Sequence, residues 1–224
     1  MLSSLLRYLI PDDRRGLLAW KLFGRRIDRD QWRSARVWKE YEDVIAKPWA
    51  ELERENANYA RRIDATVQAS TGHVLELGAG CGNMTRWLDA SPLVTGIIAV
   101  EPFAPALERL RGLQLTKVVL RQQKVERLTF QPGEQFNTVL ACELIEHLYP
   151  DEEKAMLAAI KPYCAAGARY IVSTPVGWMD DPFHVRGFST DEFRSHLERW
   201  YGPVTHIDLS AGYSQVACGV LRQA

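Results

Sequence analysis

The run Val74-Leu75-Glu76-Leu77-Gly78-Ala79-Gly80-Cys81-Gly82-Asn83 most narrows what this chain can fold into. Its apolar start reads as a buried strand, and three alternating glycines then break it. Glycine has no Cβ and tolerates φ > 0, so the chain can bend sharply here and let a ligand lie against its backbone. Met84, Trp87 and Leu88 follow on one helical face, and a helix starting here aims its free N–H groups at the same spot. Strand, glycine turn and helix make the first half of a βαβ unit, and so a parallel sheet with a ligand site at its carboxyl edge. The spacing argues against one rival, a NAD-dependent oxidoreductase. A dinucleotide turn runs G-x-G-x-x-G, its third glycine admitting close packing of the helix beneath a pyrophosphate. Here Gly78, Gly80 and Gly82 run G-x-G-x-G, and the strand carries Glu76 near its end. That carboxylate repels a pyrophosphate and suits an ammonium group.

The rest of the chain continues the alternation. Strands are expected near 73–78, 95–101, 116–121, 136–142, 168–174, 203–209 and 215–222, and helices near 83–90, 103–112, 151–162 and 190–199. Ser189-x-x-Glu192 is a capping box for the last helix. Only Ser210-Ala211-Gly212-Tyr213-Ser214 separates the final two strands. A parallel crossover needs a dozen or more residues, so these strands form an antiparallel hairpin. Ile97-Ile98-Ala99-Val100 ends in Glu101-Pro102, which sets Glu101 beside the glycine turn, where a carboxylate can accept both hydroxyls of a ribose. Residues 1–70 read as helical: Leu2, Leu5, Leu6, Leu9 and Ile10 share a face, and Pro48 interrupts a longer helical region from Asp30 to Ala69.

The chain's 224 residues suffice for one sizeable core. Its formal net charge of +0 argues against a dedicated nucleic-acid binder, although basic residues outnumber acidic ones two to one over residues 1–40. Cys81, Cys142, Cys164 and Cys218 are scattered without a C-x-x-C pair, which reads as free thiols in a reducing cytoplasm. No apolar run approaches the roughly 20 residues of a spanning helix, and the N-terminal apolar run is broken by Arg7 without a signal-peptide cleavage site.

Taken together, Glu76, the three glycines and Glu101 resemble the cofactor motifs of class I S-adenosylmethionine-dependent methyltransferases. The resemblance implies an α/β fold, a Rossmann-like seven-stranded mostly parallel sheet with a terminal antiparallel hairpin, and S-adenosyl-L-methionine as cofactor. It implies that Glu76, Gly78, Ala79, Gly80, Gly82 and Asn83 hold the methionine end, that Glu101 and Pro102 meet the ribose, and that Val125 and Glu126 lie in the loop bracketing the adenine. The Cys142 backbone would lie against the methionine part. The family often places an aspartate in the adenine loop. This chain has Lys124 there, which cannot accept a hydrogen bond, leaving Gln123 or the backbone near Val125.

Methyl transfer is an in-line displacement in which positioning does much of the work, and a hydroxyl acceptor gains from a base or a metal. Glu143-Leu144-Ile145-Glu146-His147-Leu148 follows the fourth strand, with Glu143, Glu146 and His147 spaced to share one face of a helical turn. This run resembles the O-methyltransferases of ubiquinone biosynthesis, which also show a Gln-x-x-Val-Glu loop like Gln122–Glu126. It also resembles the small-RNA 2′-O-methyltransferases, where such a run and a later histidine, here His184, hold a divalent ion, but the loop around His184 does not reproduce their arginine- and asparagine-rich pattern. Three readings stand. His147 is a base or orienting group, with Glu143 assisting and His184 a further candidate. Glu143, Glu146, His147 and His184 hold Mg²⁺ or a similar ion. Glu146 and His147 are structural. The first is the expectation, with no metal ligand assigned.

The segments Thr174-Pro175, Phe183–Arg186 and Phe188–Phe193 resemble methyltransferases acting on glycans, lipids or secondary metabolites. The expected reaction is O-methylation of a small-molecule, glycan or lipid-linked acceptor. Metal-assisted methylation of RNA ends and a noncatalytic binding module are the rivals. Residues 1–70 are expected to form a helical lid over a methyltransferase domain of residues 71–224, with Trp38, Tyr41, Trp49 and Tyr59 as candidate wall residues. The basic, leucine-striped residues 1–29 suit packing on their own domain or on a second copy in a homodimer, and also a peripheral membrane contact.

Overall fold

The computed structural model describes residues 17–18, 21–22, 49–178, 184–210 and 214–222. Helices α1 (Trp49–Glu55) and α2 (Ala57–Ala69) precede the sheet. Asn56 caps α2, its side chain accepting the Tyr59 N–H at 3.1 Å. Then follow β1 (Gly72–Leu77), α3 (Thr85–Ala90), β2 (Val94–Val100), α4 (Ala104–Gly112), β3 (Val118–Arg121), β4 (Phe136–Cys142), α5 (Pro150–Ile160), β5 (Cys164–Pro175), α6 (Thr190–Trp200), β6 (Val204–Ser210) and β7 (Ser214–Val220). Short 3₁₀ turns cover Val125–Arg127 and Ile145–His147.

The seven strands form one sheet in the order β3-β2-β1-β4-β5-β7-β6. Strands β1 to β5 pair in parallel, while β7 is antiparallel to both β5 and β6. The expected hairpin is present and inserts β7 inside the sheet. The strand order reverses between β1 and β4, and open α/β sheets bind ligands beyond the carboxyl ends of such a pair. The Ser189–Glu192 capping box also forms, with the Ser189 N–H donating to Glu192 Oε2 at 2.9 Å.

Two element boundaries differ from expectation for local reasons. Helix α3 starts at Thr85 rather than 83, because Gly82 has φ +91 and belongs to the turn. Strand β5 starts at Cys164, four residues earlier than its apolar run suggests, and the β4–β5 register slips between Phe136 and Thr138.

Alternation along each strand divides the core between the two faces. On one face Val74, Ile97, Leu140, Ile171 and Val216 pack against Ile63 of α2, Leu88 of α3 and Leu110 of α4. On the other, Leu75, Leu77, Val139, Tyr170 and Val172 pack against Met156, Leu157 and Ile160 of α5 and Phe193 and Leu197 of α6. Burial on both faces explains the continuous apolar run of β1. Glu76 alternates with Leu75 and Leu77 and so sits on the α2–α3 face, buried.

All four cysteines are free. Among the described residues no helix is long and apolar enough to cross a membrane. The leucine stripe of residues 2–10, its neighbouring arginines, Trp38 and Tyr41 lie outside the described residues, as do Asp180–Phe183.

Candidate active site

The glycine turn leaves β1 at the switch point. The Gly78 and Ala79 N–H groups donate to the Val100 carbonyl at 2.9 and 3.0 Å, which ties the turn to the end of β2. Glu101 completes that tie. One of its oxygens accepts the Gly80 N–H at 3.0 Å and the other the Phe103 N–H at 2.9 Å. A carboxylate has about four lone-pair directions, so capacity remains for hydroxyl donors. Gly80 and Gly82 are both left-handed, at φ +55 and +91, for different ends. A Cβ on Gly82 would collide with Leu110 and Leu113, so this glycine lets α4 close on the turn. Among the described residues, a Cβ on Gly80 would meet nothing within 4 Å, so its open side is the side a ligand can approach.

Glu76 is buried, and its Oε2 has no hydrogen-bond partner. Burial pushes its pKa up to about 8, with the Thr85 hydroxyl pulling the other way. The Asn83 Oδ1 is likewise buried without a partner. Buried acceptors without donors are costly, and here two of them belong to the strand-end acid and the turn. A cationic, hydrogen-bond-donating ligand fits that donor deficit. Pro102 follows Glu101 half-buried. Val125 is buried in its 3₁₀ turn, with Glu126 half-buried beside it, while Lys124 is exposed.

Past β4 the chain departs from the expected helical turn. Glu143 has φ +48, a strained backbone for a non-glycine residue. Its N–H donates to the Ser173 carbonyl and hydroxyl at 3.0 and 3.2 Å. A left-handed Glu143 does not continue into the 3₁₀ turn at Ile145–His147, so the three do not share one helical face. Instead Glu143 Oε1 accepts from Ser173 Oγ at 2.8 Å and Ser214 Oγ at 3.1 Å, and pairs with the Arg62 guanidinium at 3.0 Å. Burial, the largest single influence, would depress Arg62, but Glu143, Tyr59 and Cys142 together outweigh it and hold its pKa above the ordinary value. The Arg62 guanidinium also lies 4.6 Å over the Tyr59 ring, and Arg62 Nε is buried without a partner. Helix α2 therefore delivers Tyr59 and Arg62 to the strand ends. Tyr59 was legible as an aromatic wall candidate. Arg62 was missed, its only signal being the i, i+3 spacing from Tyr59. Cys142, at the end of β4, has its thiol pushed up to about 12 by burial.

Glu146 and His147 do meet His184. One ligand atom from each of the three lies within 4.8 Å of the others. The His147 and His184 rings sit edge to face with centroids 4.7 Å apart, and Trp178 stands 6.1 Å beyond His184. Both Glu146 oxygens are buried without a partner. Burial, reinforced by the Glu143 charge, holds this carboxyl well above the usual range. Behind the cluster, Glu153 accepts from Arg186 at 2.6 Å, Tyr201 at 2.8 Å and His196 at 2.9 Å. Burial alone would raise Glu153, but His196 and Arg186 more than offset it and hold its pKa down at about 2. A surface groove of about 540 Å³ along α6 is lined in part by Arg186 and His196, and another of about 470 Å³ lies between α2 and the terminal hairpin.

Comparison with known proteins agrees with this geometry. Residues 75–170 match a family described as a methyltransferase domain. The chain is 41% identical over 109 residues to "Uncharacterized methyltransferase YrrT" of Bacillus subtilis (strain 168), covering 47% of this chain and 46% of that protein. It is 33% identical over 114 residues to the phosphatidylethanolamine N-methyltransferase of Cereibacter sphaeroides, covering 50% of this chain and 55% of that one. The chain thus spans about half the length of the curated relatives it matches. Among solved structures, the "DhpI-SAM-HEP complex" superposes with a TM-score of 0.64 at 20% identity, over 92% of this chain and 98% of that one. The glycopeptide N-methyltransferase MtfA complexed with S-adenosylmethionine superposes at 0.59 and 16% identity, over 73% and 86%. The strand order, the hairpin and the matched stretch agree: residues 75–170 are similar to a methyltransferase domain, and the sheet has the Rossmann-like fold of the solved methyltransferases on which the chain superposes.

Proposed function

We propose that this chain transfers a methyl group from S-adenosylmethionine to an oxygen of a small-molecule, glycan or lipid-linked acceptor. The carrying observation is the buried, unpartnered Glu76 oxygen beside the open side of Gly80 and the Glu101 carboxylate. When bound, the cofactor supplies an activated methyl on a positively charged sulfur. Glu76 then holds the amino-acid ammonium, the turn backbone of Gly78, Ala79, Gly80, Gly82 and Asn83 lies along the methionine end, and Glu101 with Pro102 receives the ribose. Val125 and Glu126 border the adenine, and the Cys142 backbone flanks the methionine chain. His147 takes the acceptor hydroxyl proton on a ring nitrogen, and His184, set edge to face against it, fixes its orientation. Glu143 acts through position, bracing Arg62 and the ends of β4, β5 and β7. Residues 1–70 serve as a lid over residues 71–224, a role that the reach of Tyr59 and Arg62 into the site supports. A lipid-linked acceptor would give residues 1–29 a reason to contact a membrane interface.

The test is calorimetry with S-adenosylmethionine followed by product formation with hydroxyl and amine acceptors. No binding at millimolar cofactor sinks the enzyme reading in favour of a noncatalytic module. His147→Ala is expected to lower turnover on a hydroxyl by about 100-fold, the scale of general-base catalysis, with cofactor affinity unchanged. Two of the related proteins are named as N-methyltransferases. A neutral amine needs no base to become a nucleophile, so undiminished turnover in His147→Ala would move the acceptor to nitrogen.

One observation favours a second reading. Glu146, His147 and His184 converge within 4.8 Å, and the carboxylate has both oxygens available. Two imidazoles and a carboxylate suit a divalent ion with an open position for an acceptor oxygen. Turnover that survives EDTA unchanged removes this reading.

A further inference from the structure

We infer that the buried Arg186–Glu153 pair is the device that sets His184 against His147, making both charged residues positioning residues for the acceptor side. Its catalytic consequence rests on the role proposed for His147; its geometric content does not.

Both imidazoles hang from one clamp. The 145–147 turn carries His147, and the loop after residue 183 carries His184. The Val185 N–H donates to the Glu146 carbonyl at 2.8 Å. Arg186 Nε donates to the Ile145 carbonyl at 2.9 Å, while its terminal nitrogen reaches Glu153 Oε2 at 2.6 Å. One guanidinium therefore grips the turn beside His147 and helix α5 at once, two residues after His184. The other Glu153 oxygen is held from α6, by His196 and by Tyr201 at the helix end. The loop's far side is pinned as well, since the Phe188 carbonyl accepts from Gly177 N–H at 2.7 Å and Gln215 Nε2 at 2.9 Å.

Stability alone gives a poor reason for such a pair. Arg186 and Glu153 are 7% and 1% exposed. The desolvation cost of a buried ion pair is often as large as its attraction, and apolar residues of equal volume do as well or better. What the ions add is direction. A guanidinium is a rigid planar fork that can serve two acceptors at a fixed angle, which an ammonium on a flexible stem does not reproduce.

Arg186→Lys keeps the charge for Glu153 and removes the fork. It should fold, with a lowered Tm and cofactor affinity within about twofold of the parent. Its kcat is expected to fall about 10- to 100-fold, the cost of misplacing a group by about 1 Å, with a far smaller change in acceptor KM. In the NMR spectrum, the cross-relaxation between the His147 and His184 ring protons should disappear. Arg194→Lys, on the exposed face of α6, should keep it. Should Arg186→Lys fail to fold, Tyr201→Phe and His196→Asn each remove one bond from Glu153 and are read the same way, with weakened ring contacts and lower kcat. Ring contacts and kcat at parental values in every folded variant, with only Tm reduced, overturn the inference. If the parent transfers no methyl group at all, the proposed function fails separately and the ring contacts alone decide.

Discussion

Glu76→Gln should make the cofactor-free protein more stable at neutral and alkaline pH while weakening cofactor binding about 10- to 100-fold, the value of one charge-assisted hydrogen bond. Both effects follow from one buried carboxyl whose pKa is pushed up to about 8. In the unfolded chain the same group titrates near 4.5. Between these values the folded protein binds the extra proton, so stability falls as pH rises from about 4.5 to 8 and levels off above that. The full cost of ionising Glu76 has an upper bound of about 5 kcal/mol, at 1.36 kcal/mol per pKa unit. Glutamine abolishes this slope, which urea titrations at several pH values would display. Binding carries the opposite sign. An ammonium needs the ionised carboxylate, so cofactor binding near pH 7 should release close to one proton, and affinity should rise with pH up to about 8. Calorimetry in buffers of different ionisation enthalpy measures that proton directly. Release that persists unchanged in Glu76→Gln would place the proton on another group.

The two left-handed glycines should separate folding from binding. Gly82→Ala combines an unfavourable φ with a collision against Leu110 and Leu113, and is expected to cost about 2–4 kcal/mol of stability. Gly80→Ala carries only the backbone term, about 1–2 kcal/mol, because its Cβ points into open space. That space is where the cofactor is proposed to lie, so Gly80→Ala should weaken binding by at least about tenfold while unfolding close to the parent temperature. Thermal unfolding with and without S-adenosylmethionine reads both. A Gly80→Ala protein with full affinity would show that the ligand does not approach this face of the turn.

The geometry of the proposed cofactor side was legible because it is local. Glu76, the three glycines and Glu101 fall within one strand–turn–helix–strand stretch, where side-chain period and glycine spacing carry the geometry. The hairpin was legible for a similar reason, since a five-residue connection leaves one topology. On the proposed acceptor side, the meeting of Glu146, His147 and His184 was open to a reading of the sequence, and the placement of Glu143 was not. Glu143, Glu146 and His147 were read on one helical face, but a left-handed Glu143 is not visible in a sequence, because the Ser173 contacts that hold it come from β5. Arg62 was missed for the same cause. Its partner lies 81 positions away, and a polar helix with one more arginine gives no sign of which face meets a strand end. Arg186 stood two residues after a named histidine, but its acceptors, Ile145 and Glu153, are distant in sequence.

The insertion of β7 between β5 and β6 has a consequence for the nascent chain. The groups proposed for the cofactor lie before residue 143, and they precede the final hairpin on the ribosome. Glu143, by contrast, takes one of its hydrogen bonds from Ser214 on β7, a strand that follows all of them in sequence. A polypeptide still in synthesis can therefore assemble the proposed methyl-donor pocket before the proposed acceptor pocket is braced. On the proposed roles, loading with cofactor and competence to act on an acceptor become separate events in the life of the molecule, divided by the arrival of β7.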